Sequence, residues 1–380
     1  MPVACANLWS SMPDINNMFP IQPPLIPAYF NFFKKQSLLS QGIHKSFFLS
    51  WEDALWHLLK IHSVEKNSKI LVPEFFCGDV IENMKAHGLQ QVTYLVDKYL
   101  QPNEEDFIKK LKKEKPDIII VFHAVGITNQ LLQNTNVWLK FIQKEAILIE
   151  DSVHRVIDPQ KIIFITENHY IIDSLRKVVP IQGSWAYSQS KIPKIVVVTN
   201  LQTIWYRSQV FFWWILMQFC LIIVNYSKNK LVKKWGNTLA EIAMKLGYDV
   251  IGDHKLPSCG NFGMAWLSSK LDIEKIYVVK EKQALLYSRL LKSELKKPYL
   301  FPIPFGDSDN RHLRGFPLGI ELKFADSFLQ YIRKNNILVR FELNDSDWSK
   351  KQKIVYLPMG IHITKNNIER VCAIISRYTI

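Results

Sequence analysis

The sequence predicts an α/β protein with a three-layer α/β/α large domain and a smaller α+β C-terminal domain. Short apolar, β-branched runs alternate with amphipathic segments between about residues 50 and 173, and the pattern changes after about residue 270. Strands that are apolar along their whole length are typical of parallel sheets covered by helices on both faces. A chain of 380 residues is long enough for two or three domains.

The predicted large domain covers residues 46–265 and follows an irregular, proline-rich arm over residues 1–45, which we expect to pack on a neighbouring surface. Ser50 predicts the start of the first helix, because its hydroxyl can cap the helix and Asp53 follows three residues later. The predicted strands are 69–73, 91–97, 117–123, 146–151, 161–167 and 170–173. The predicted helices between them are 78–88, 103–115 and 136–145.

An apolar insertion over about residues 204–245 interrupts this alternation. Its centre, VFFWWILMQFCLIIV (210–224), is almost uninterrupted in apolar character. As a helix it would span roughly 22 Å, short of the ~30 Å hydrocarbon core of a bilayer. A buried or interface helix, a membrane-surface helix and a true span all remain open. A buried or interface helix is the first expectation. The aromatic residues at 211–214 and the lysines that follow support the membrane-surface alternative, which would give a peripheral membrane contact through 210–224.

The C-terminal domain is predicted over residues 266–380. Apolar runs at 315–322, 337–343 and 353–358 alternate there with predicted helices at 324–335 and 365–378. Such a short mixture of strands and helices is typical of a small α+β unit.

The charge and the cysteines narrow the function classes. The net charge is +14, yet no nucleic-acid-binding motif is visible, so we expect no nucleic-acid partner. The charge fits either a solvated lysine-rich surface or attraction to an anionic membrane or phosphorylated substrate. The five cysteines include no CxxC pair, so we expect no metal site and no disulfide framework. A reducing, cytoplasmic location fits best, since the N-terminus lacks the pattern of a secretory signal.

Two reactive side chains follow strands of the predicted sheet. Asp151 ends the strand 146–151, and Lys177 comes shortly after the strand 170–173. Ligands of open α/β sheets bind at the carboxyl ends of the strands. A lysine and a carboxylate together suit pyridoxal 5'-phosphate (PLP), whose aldehyde forms a Schiff base with lysine and whose pyridinium nitrogen pairs with a carboxylate.

Four segments, in the same order along the chain, resemble those of the DegT/StrS-type sugar aminotransferases, a fold-type I PLP family. They are the strand–helix–strand unit 69–97, ILIEDSVHRV (147–156), DSLRKVVPIQGSWAY (173–187) and VYLPMGIHITKNNIERVCAIISRY (355–378). The resemblance covers roughly residues 45–200 and 260–380. It implies a PLP-dependent aminotransferase that moves an amino group from a donor, with glutamate the expected one, to a nucleotide-linked keto sugar for polysaccharide biosynthesis.

The resemblance also implies site residues. Lys177 would hold the cofactor and move protons, Asp151 would pair with the pyridine nitrogen, and His154 would contact the ring hydroxyl. Ser174 would touch the phosphate, Ser50 and Trp51 would form the phosphate-binding helix N-terminus, and Phe76 or Cys77 would stack on the ring. Family members build their sites at a subunit interface, so a homodimer is expected.

Other interpretations of these residues remain open. Lys177 could lie on the surface, Asp151 could cap a helix, His154 could be structural and Ser174 could be a turn residue. His123, which ends the strand 117–123, is structural or faces the substrate.

Two other functions also fit the sequence. A PLP-dependent sugar dehydratase is disfavoured because relatives that dehydrate replace the lysine by histidine, and Lys177 is present. The segment SWEDAL (50–55) places Trp51 and Glu52 where the family has S-G-T-x-A-L. This departure favours the alternative of a catalytically inactive homologue that acts as a membrane-associated binding or assembly protein.

Overall fold

A computed structural model describes residues 23–33, 42–193, 201–253, 262–292, 297, 299–337 and 339–378. The larger of its two sheets has the strand order β1-β7-β6-β5-β4-β2-β3. Strands β2 to β6 run parallel to one another, whereas β7 is antiparallel to both β6 and β1. The strands are β1 (His44–Phe48), β2 (Lys69–Pro73), β3 (Gln90–Tyr94), β4 (Ile118–Phe122), β5 (Ile147–Ser152), β6 (His169–Asp173) and β7 (Ser184–Ser188).

Helices cover both faces of this sheet. Along β4, Ile118 and Ile120 belong to the hydrophobic core on one face, and Ile119 and Val121 belong to the core on the other. Successive side chains of a strand point to opposite faces, so an entirely apolar strand fits only between two layers. The helices are α1 (Trp51–Ile61), α2 (Gly78–Ala86), α3 (Glu104–Glu114) and the single turn α4 (Thr135–Trp138).

An antiparallel sheet with the order β10-β9-β8 forms the C-terminal part of the molecule together with three helices. Its elements are α8 (Ile273–Leu290), β8 (Leu300–Pro302), β9 (Phe316–Glu321), α9 (Leu322–Lys334), β10 (Gln352–Leu357) and α10 (Lys365–Arg377). Its apolar side chains join those of the larger sheet in one continuous core. The predicted fold, an α/β unit with three layers and a smaller α+β unit, is confirmed.

The apolar insertion forms a helical hairpin. Helix α5 (Leu201–Tyr226) is followed by α6 (Lys230–Asp253), and α7 (Phe262–Ser269) leads into the C-terminal part. Helix α5 extends well beyond 210–224 and is roughly 39 Å long. Its segment Ile204–Tyr226 is long and apolar enough to cross a membrane, and 39% of its most apolar stretch is buried inside the protein.

Several predicted elements differ from the structure. The predicted helix 136–145 is only the end of the short α4 followed by a 3₁₀ turn. The predicted strand 161–167 is not a strand: a 3₁₀ turn at Pro159–Lys161 ends there and the residues after it are irregular. The run 337–343 contributes a single bridge between Phe341 and Val355. In all three segments the apolar residues that predict a helix or a strand lie mostly on turns and irregular backbone.

Two strands lie where the sequence pattern predicts none. Strands β1 and β7 were not predicted, because their polar serines interrupt the apolar pattern. Most of the predicted arm lies outside the described residues. Its described part packs on the protein, since the buried Tyr29 hydroxyl lies 2.9 Å from His362 Nδ1.

Candidate functional site

The site lies at the carboxyl ends of β5 and β6. These strands are parallel neighbours, and Asp151 lies opposite Ile172 in their register. Beyond β6 the chain forms a 3₁₀ turn at Leu175–Lys177. The register of the sheet therefore brings Asp151 and Lys177 to one edge, although the whole of β6 lies between them in the sequence.

Asp151 is almost fully buried, with 3% of its surface exposed. One oxygen, Oδ1, accepts a hydrogen bond of 3.1 Å from the backbone N–H of Val153. Burial raises the pKa of Asp151 to about 7, and the Val153 N–H and the positive charge of Lys177 offset only part of that rise. Residues 152–158 form no helix, so the helix-cap interpretation is wrong. A buried carboxylate with so few partners is suited to a cationic N–H donor.

Lys177 is half-buried and lines a cavity of about 560 Å³ including its mouth. Its amine has no hydrogen-bond or ion-pair partner in the part of the chain that the structure describes. Its charge lowers the pKa of the Asp151 carboxyl and of the Cys77 thiol, against the larger opposite effect of burial on both. A half-buried amine in a cavity does not fit the surface interpretation of Lys177, and this amine is free to react with a ligand.

His154 is fully buried beside this pair. Its Nδ1 accepts a 3.0 Å hydrogen bond from the backbone N–H of Val125, so its neutral form carries the proton on Nε2, 3.2 Å from Glu342 Oε1. Burial lowers the pKa of His154 to about 3, and the Glu342 carboxylate opposes this only in part. Both ring nitrogens thus have protein partners, which supports the structural interpretation; contact with a cofactor hydroxyl stays a prediction.

The ion pair behind His154 was missed at the sequence level. Arg314 donates to Glu342 Oε1 at 2.8 Å, lies 3.0 Å from His154 Nε2 and stacks over the Tyr356 ring at 4.4 Å. Burial alone raises the pKa of Glu342, but Arg314 and His154 lower it well below its usual value. An arginine directly before Gly315 and an apolar strand was the signal in the sequence.

The N-terminus of α1 faces the same region. Ser50 Oγ accepts a 3.0 Å hydrogen bond from the Asp53 backbone N–H, which confirms the predicted cap, and donates to Asp53 Oδ2 at 2.9 Å. The backbone N–H groups of Trp51 and Glu52 have no acceptor among the described residues. The indole Nε1 of Trp51 is likewise buried and unpaired.

Glu52 is the discordant group at this helix end. Its Oε2 is buried and has no hydrogen-bond partner within the described ranges. Burial is the main cause of the raised pKa of Asp151 and of Asp79, and the negative charge of Glu52 adds to both. The carboxylate of Glu52 therefore lies within electrostatic range of Asp79 on α2 and of Asp151 on β5.

Arg176 supplies a compensating cation that the sequence analysis did not single out. Its Nε is buried and has no hydrogen-bond partner among the described residues, and its guanidinium lies 4.1 Å from the ring centroid of Tyr248 on α6. Burial by itself raises the pKa of Tyr248, but Arg176, Arg340 and Lys177 bring it down to about 8. Burial also raises the pKa of Tyr206, and there too the charge of Arg176 opposes the rise.

The remaining predicted residues lie nearby. Ser174 is buried at the start of the 3₁₀ turn, where its carbonyl accepts from the Lys177 N–H at 3.1 Å. Phe76 is 3% exposed, and its ring meets those of Trp51 and Phe122 edge-on. The half-buried Cys77 is within electrostatic range of Lys177. The roles of Ser174 and Phe76 stay predictions.

His123 belongs to a separate buried network. Its Nε2 lies 2.8 Å from Glu150 Oε1, and Arg155 approaches the same ring at 3.2 Å. Burial and Arg155 lower the pKa of His123, while Glu150 opposes them. These contacts favour the structural interpretation of His123. The described residues contain no group of histidine, cysteine and carboxylate side chains that could hold a metal ion.

The cavity beside Lys177 is cationic. Besides Lys177, its lining includes Arg314, Arg340, Tyr356 and His362. Burial lowers the pKa of His362 to about 4, so this ring is neutral at physiological pH. Arg314 is neutralised by Glu342, which leaves Lys177 and Arg340 as the cations of the lining. Such a cavity favours anionic ligands.

Comparison with solved structures places the fold. The chain is similar to Spr1654 of Streptococcus pneumoniae, assigned as a sugar aminotransferase and solved in its PMP form, with a TM-score of 0.59 and 14% identity over 94% of this chain and 98% of that one. It is similar to Helicobacter pylori PseC, an aminotransferase of pseudoaminic acid biosynthesis, with a TM-score of 0.58 and 14% identity over 95% and 99% of the two chains.

A third similar structure is a DegT/DnrJ/EryC1/StrS aminotransferase from Brucella abortus, with a TM-score of 0.55 and 14% identity over 88% of this chain and 85% of that one. No protein-family model matches the sequence, and no curated protein matches it either. The fold is that of the DegT/StrS-type sugar aminotransferases, so the resemblance inferred from the four sequence segments is confirmed at the level of the fold.

Proposed function

We propose that this protein is a PLP-dependent aminotransferase that transfers an amino group from glutamate to a nucleotide-linked keto sugar for polysaccharide biosynthesis. The observation that carries the proposal is the placement of the buried Asp151 and the half-buried Lys177 at the ends of β5 and β6. The pair occurs in a fold shared with sugar aminotransferases. PLP acts as an electron sink for the carbon that loses its proton.

The pyridine end of the cofactor fits the residues present. Asp151 is buried, and the only hydrogen bond to its carboxylate among the described residues comes from the Val153 N–H. A protonated ring nitrogen would supply the cation that this carboxylate lacks and would hold it ionised. The free amine of Lys177 is on the same edge of the sheet, where it can bind an aldehyde carbon.

The residues expected to bind the cofactor phosphate suit an anion, with the exception of Glu52. The unpaired N–H groups of Trp51 and Glu52 at the start of α1 can donate to a phosphate, as helix N-termini do. Arg176, with its unpaired buried Nε, is the cation available to a phosphate at this end. The Glu52 carboxylate repels an anion, so it weakens phosphate binding at this end of the site.

Lys177 is the proton carrier in this proposal. Its Nζ would carry a proton from Cα of the amino donor to the cofactor carbon that takes up the nitrogen, and in the second half-reaction from that carbon to the sugar carbon that receives nitrogen. The buried ion pair of Arg314 and Glu342 fixes the wall of the cavity next to this amine. Arg340, which lines the same cavity, is available to bind the carboxylate of the donor or a phosphate of the sugar nucleotide.

A homodimer and a cytoplasmic location belong to the same proposal, because the resemblance to the family implies an enzyme of sugar metabolism whose sites lie between subunits.

One observation favours a second candidate function. The buried, unpaired carboxylate oxygen of Glu52 opposes phosphate binding. A catalytically inactive homologue that does not bind the cofactor, and acts as a membrane-associated binding or assembly protein, would tolerate this residue.

Absorbance spectroscopy tests the proposal. The purified protein with added PLP is expected to develop a visible band, and glutamate is expected to shift it. Borohydride should abolish the band and leave the cofactor covalently attached to Lys177. Lys177→Ala should lose the band, whereas Lys191→Ala, a change of an exposed lysine beyond β7, should keep it. No band at saturating cofactor would refute the enzyme and support the binding protein.

A further inference from the structure

The hairpin of α5 and α6 carries a large exposed apolar face. Seven large apolar side chains on it are each between 44% and 66% exposed. These residues, here called the hairpin face, are Trp205, Phe212, Ile215, Phe219, Trp235, Leu239 and Ile242. Isolated exposed apolar residues are ordinary, but a contiguous group marks an interaction surface.

The hairpin face points away from the body of the protein. Its members on α5 recur at intervals of seven, three and four residues, which places them on one side of that helix. The opposite side, with Trp214, Met217 and Leu221, is buried in one cluster with Leu175 and Val178 near the candidate site. Helix α5 therefore packs on the protein through its other side, and the hairpin face is left exposed.

Close packing holds the two helices side by side. Small residues of α6 meet α5, and a Cβ atom added at Gly236 would lie 2.7 Å from Val224 Cγ2. Ala240 and Ala243, also on α6, are buried. The two helices therefore form one closely packed hairpin, and the hairpin face lies on its outer surface.

The charge on the hairpin is positive. Residues 201–250 contain six basic and two acidic side chains. Lys228 and Lys234 at the hairpin turn are exposed, and neither has an ion-pair partner within the described ranges. Arg207 is the single charged residue of α5.

These features point to one occupant. A second helix in a coiled-coil seam is normally selected by charged residues that flank the apolar stripe, and α5 offers only Arg207 there. Exposed tryptophans beside unpaired lysines are instead the composition of a helix that lies in a membrane interface. We propose that the hairpin face docks this protein on the surface of an anionic lipid bilayer.

The hairpin lies in the interface and does not cross the bilayer. Crossing would pull Trp214, Met217 and Leu221 out of the core that they share with Leu175 and Val178. Docking instead buries only side chains that are already exposed. Tyr248 of α6 stacks on Arg176, the neighbour of Lys177 in sequence, so the docking hairpin directly contacts the turn that carries Lys177.

Vesicle flotation of the full chain tests this inference. Wild-type protein is expected to float with vesicles of phosphatidylcholine and phosphatidylglycerol and far less with phosphatidylcholine alone. The variant Trp205→Gln/Phe219→Gln/Trp235→Gln should bind at least about tenfold more weakly, since three large apolar contacts are lost. The matched control Ile163→Gln/Leu285→Gln/Leu322→Gln changes three exposed apolar residues outside the hairpin and should bind like the wild type.

A charge variant separates the contribution of the lysines to vesicle binding from that of the apolar side chains. Lys228→Gln/Lys234→Gln should reduce binding to the anionic vesicles about fivefold for each lysine and leave binding to neutral vesicles unchanged. Brominated lipids should quench the tryptophan fluorescence of the wild type. This readout needs no substitution, so it decides the question even if the apolar variant fails to fold.

Three results would overturn the inference. Wild-type protein could fail to float and show no quenching, or a folded hairpin variant could float as well as the wild type. Light scattering without lipid could show a dimer that the hairpin variant turns into a monomer, which would mean that a second copy covers the face. None of these outcomes depends on cofactor binding, so the result is independent of the proposed enzyme activity.

Discussion

Replacing Asp151 by asparagine should change how the stability of the cofactor-free protein depends on pH. Burial raises the pKa of Asp151 to about 7, from an ordinary value of 3.8 in the unfolded chain. Between these values the folded state binds the proton that the unfolded state releases, so the unfolding free energy falls as pH rises. Asparagine keeps an oxygen to accept the Val153 N–H but has no proton to lose.

The size of the effect follows from the two pKa values. One pKa unit corresponds to about 1.4 kcal/mol, so the full penalty for ionising Asp151 in the folded protein is about 4 kcal/mol. Between about pH 5 and pH 8, the wild type should lose about 2.5 kcal/mol of unfolding free energy relative to Asp151→Asn. Asp173, whose pKa burial raises to about 8, titrates in both proteins and cancels in the difference.

Urea denaturation at several pH values, without cofactor, measures this difference. Ser174→Ala, a change at another buried polar residue of the site, serves as the control and should keep the wild-type dependence on pH. If the unfolding free energies of the wild type and Asp151→Asn stay parallel across this pH range, Asp151 is ionised throughout. That outcome would refute the reasoning that it lacks a cationic partner.

Three further predictions concern the groups around this carboxylate. Arg314→Met should cost about 3–5 kcal/mol in urea denaturation, because Glu342 loses its cation while buried, and Arg314→Met/Glu342→Gln should recover part of that loss. Ser50→Ala should cost about 1 kcal/mol by the same measurement, because the first turn of α1 loses its cap. Glu52→Gln should bind PLP several-fold more tightly in a spectroscopic titration, and unchanged affinity would show that the carboxylate points away from the phosphate.

Much of the fold could be predicted from local pattern. Strand β2 was predicted at its observed bounds, and β4, β5 and β6 within a residue or so, because each is buried on both faces and is therefore apolar along most of its length. Helix α1 was found from its cap, since Ser50 and Asp53 interact within a single turn. Strands β1 and β7 were not predicted, because serines interrupt their apolar pattern and β1 is only half-buried over most of its length.

The sequence singles out Asp151 and Lys177 and predicts a cofactor that would need both, and the structure brings the two residues to one edge of the sheet. Only the folded chain shows that His154 is held by Val125 and Glu342 with Arg314 beside it, and that Arg176 reaches Tyr248 on the hairpin. Motifs report residues that are close in sequence, whereas these contacts join positions far apart in the chain. Such contacts follow from strand register and helix packing, which local periodicity does not specify.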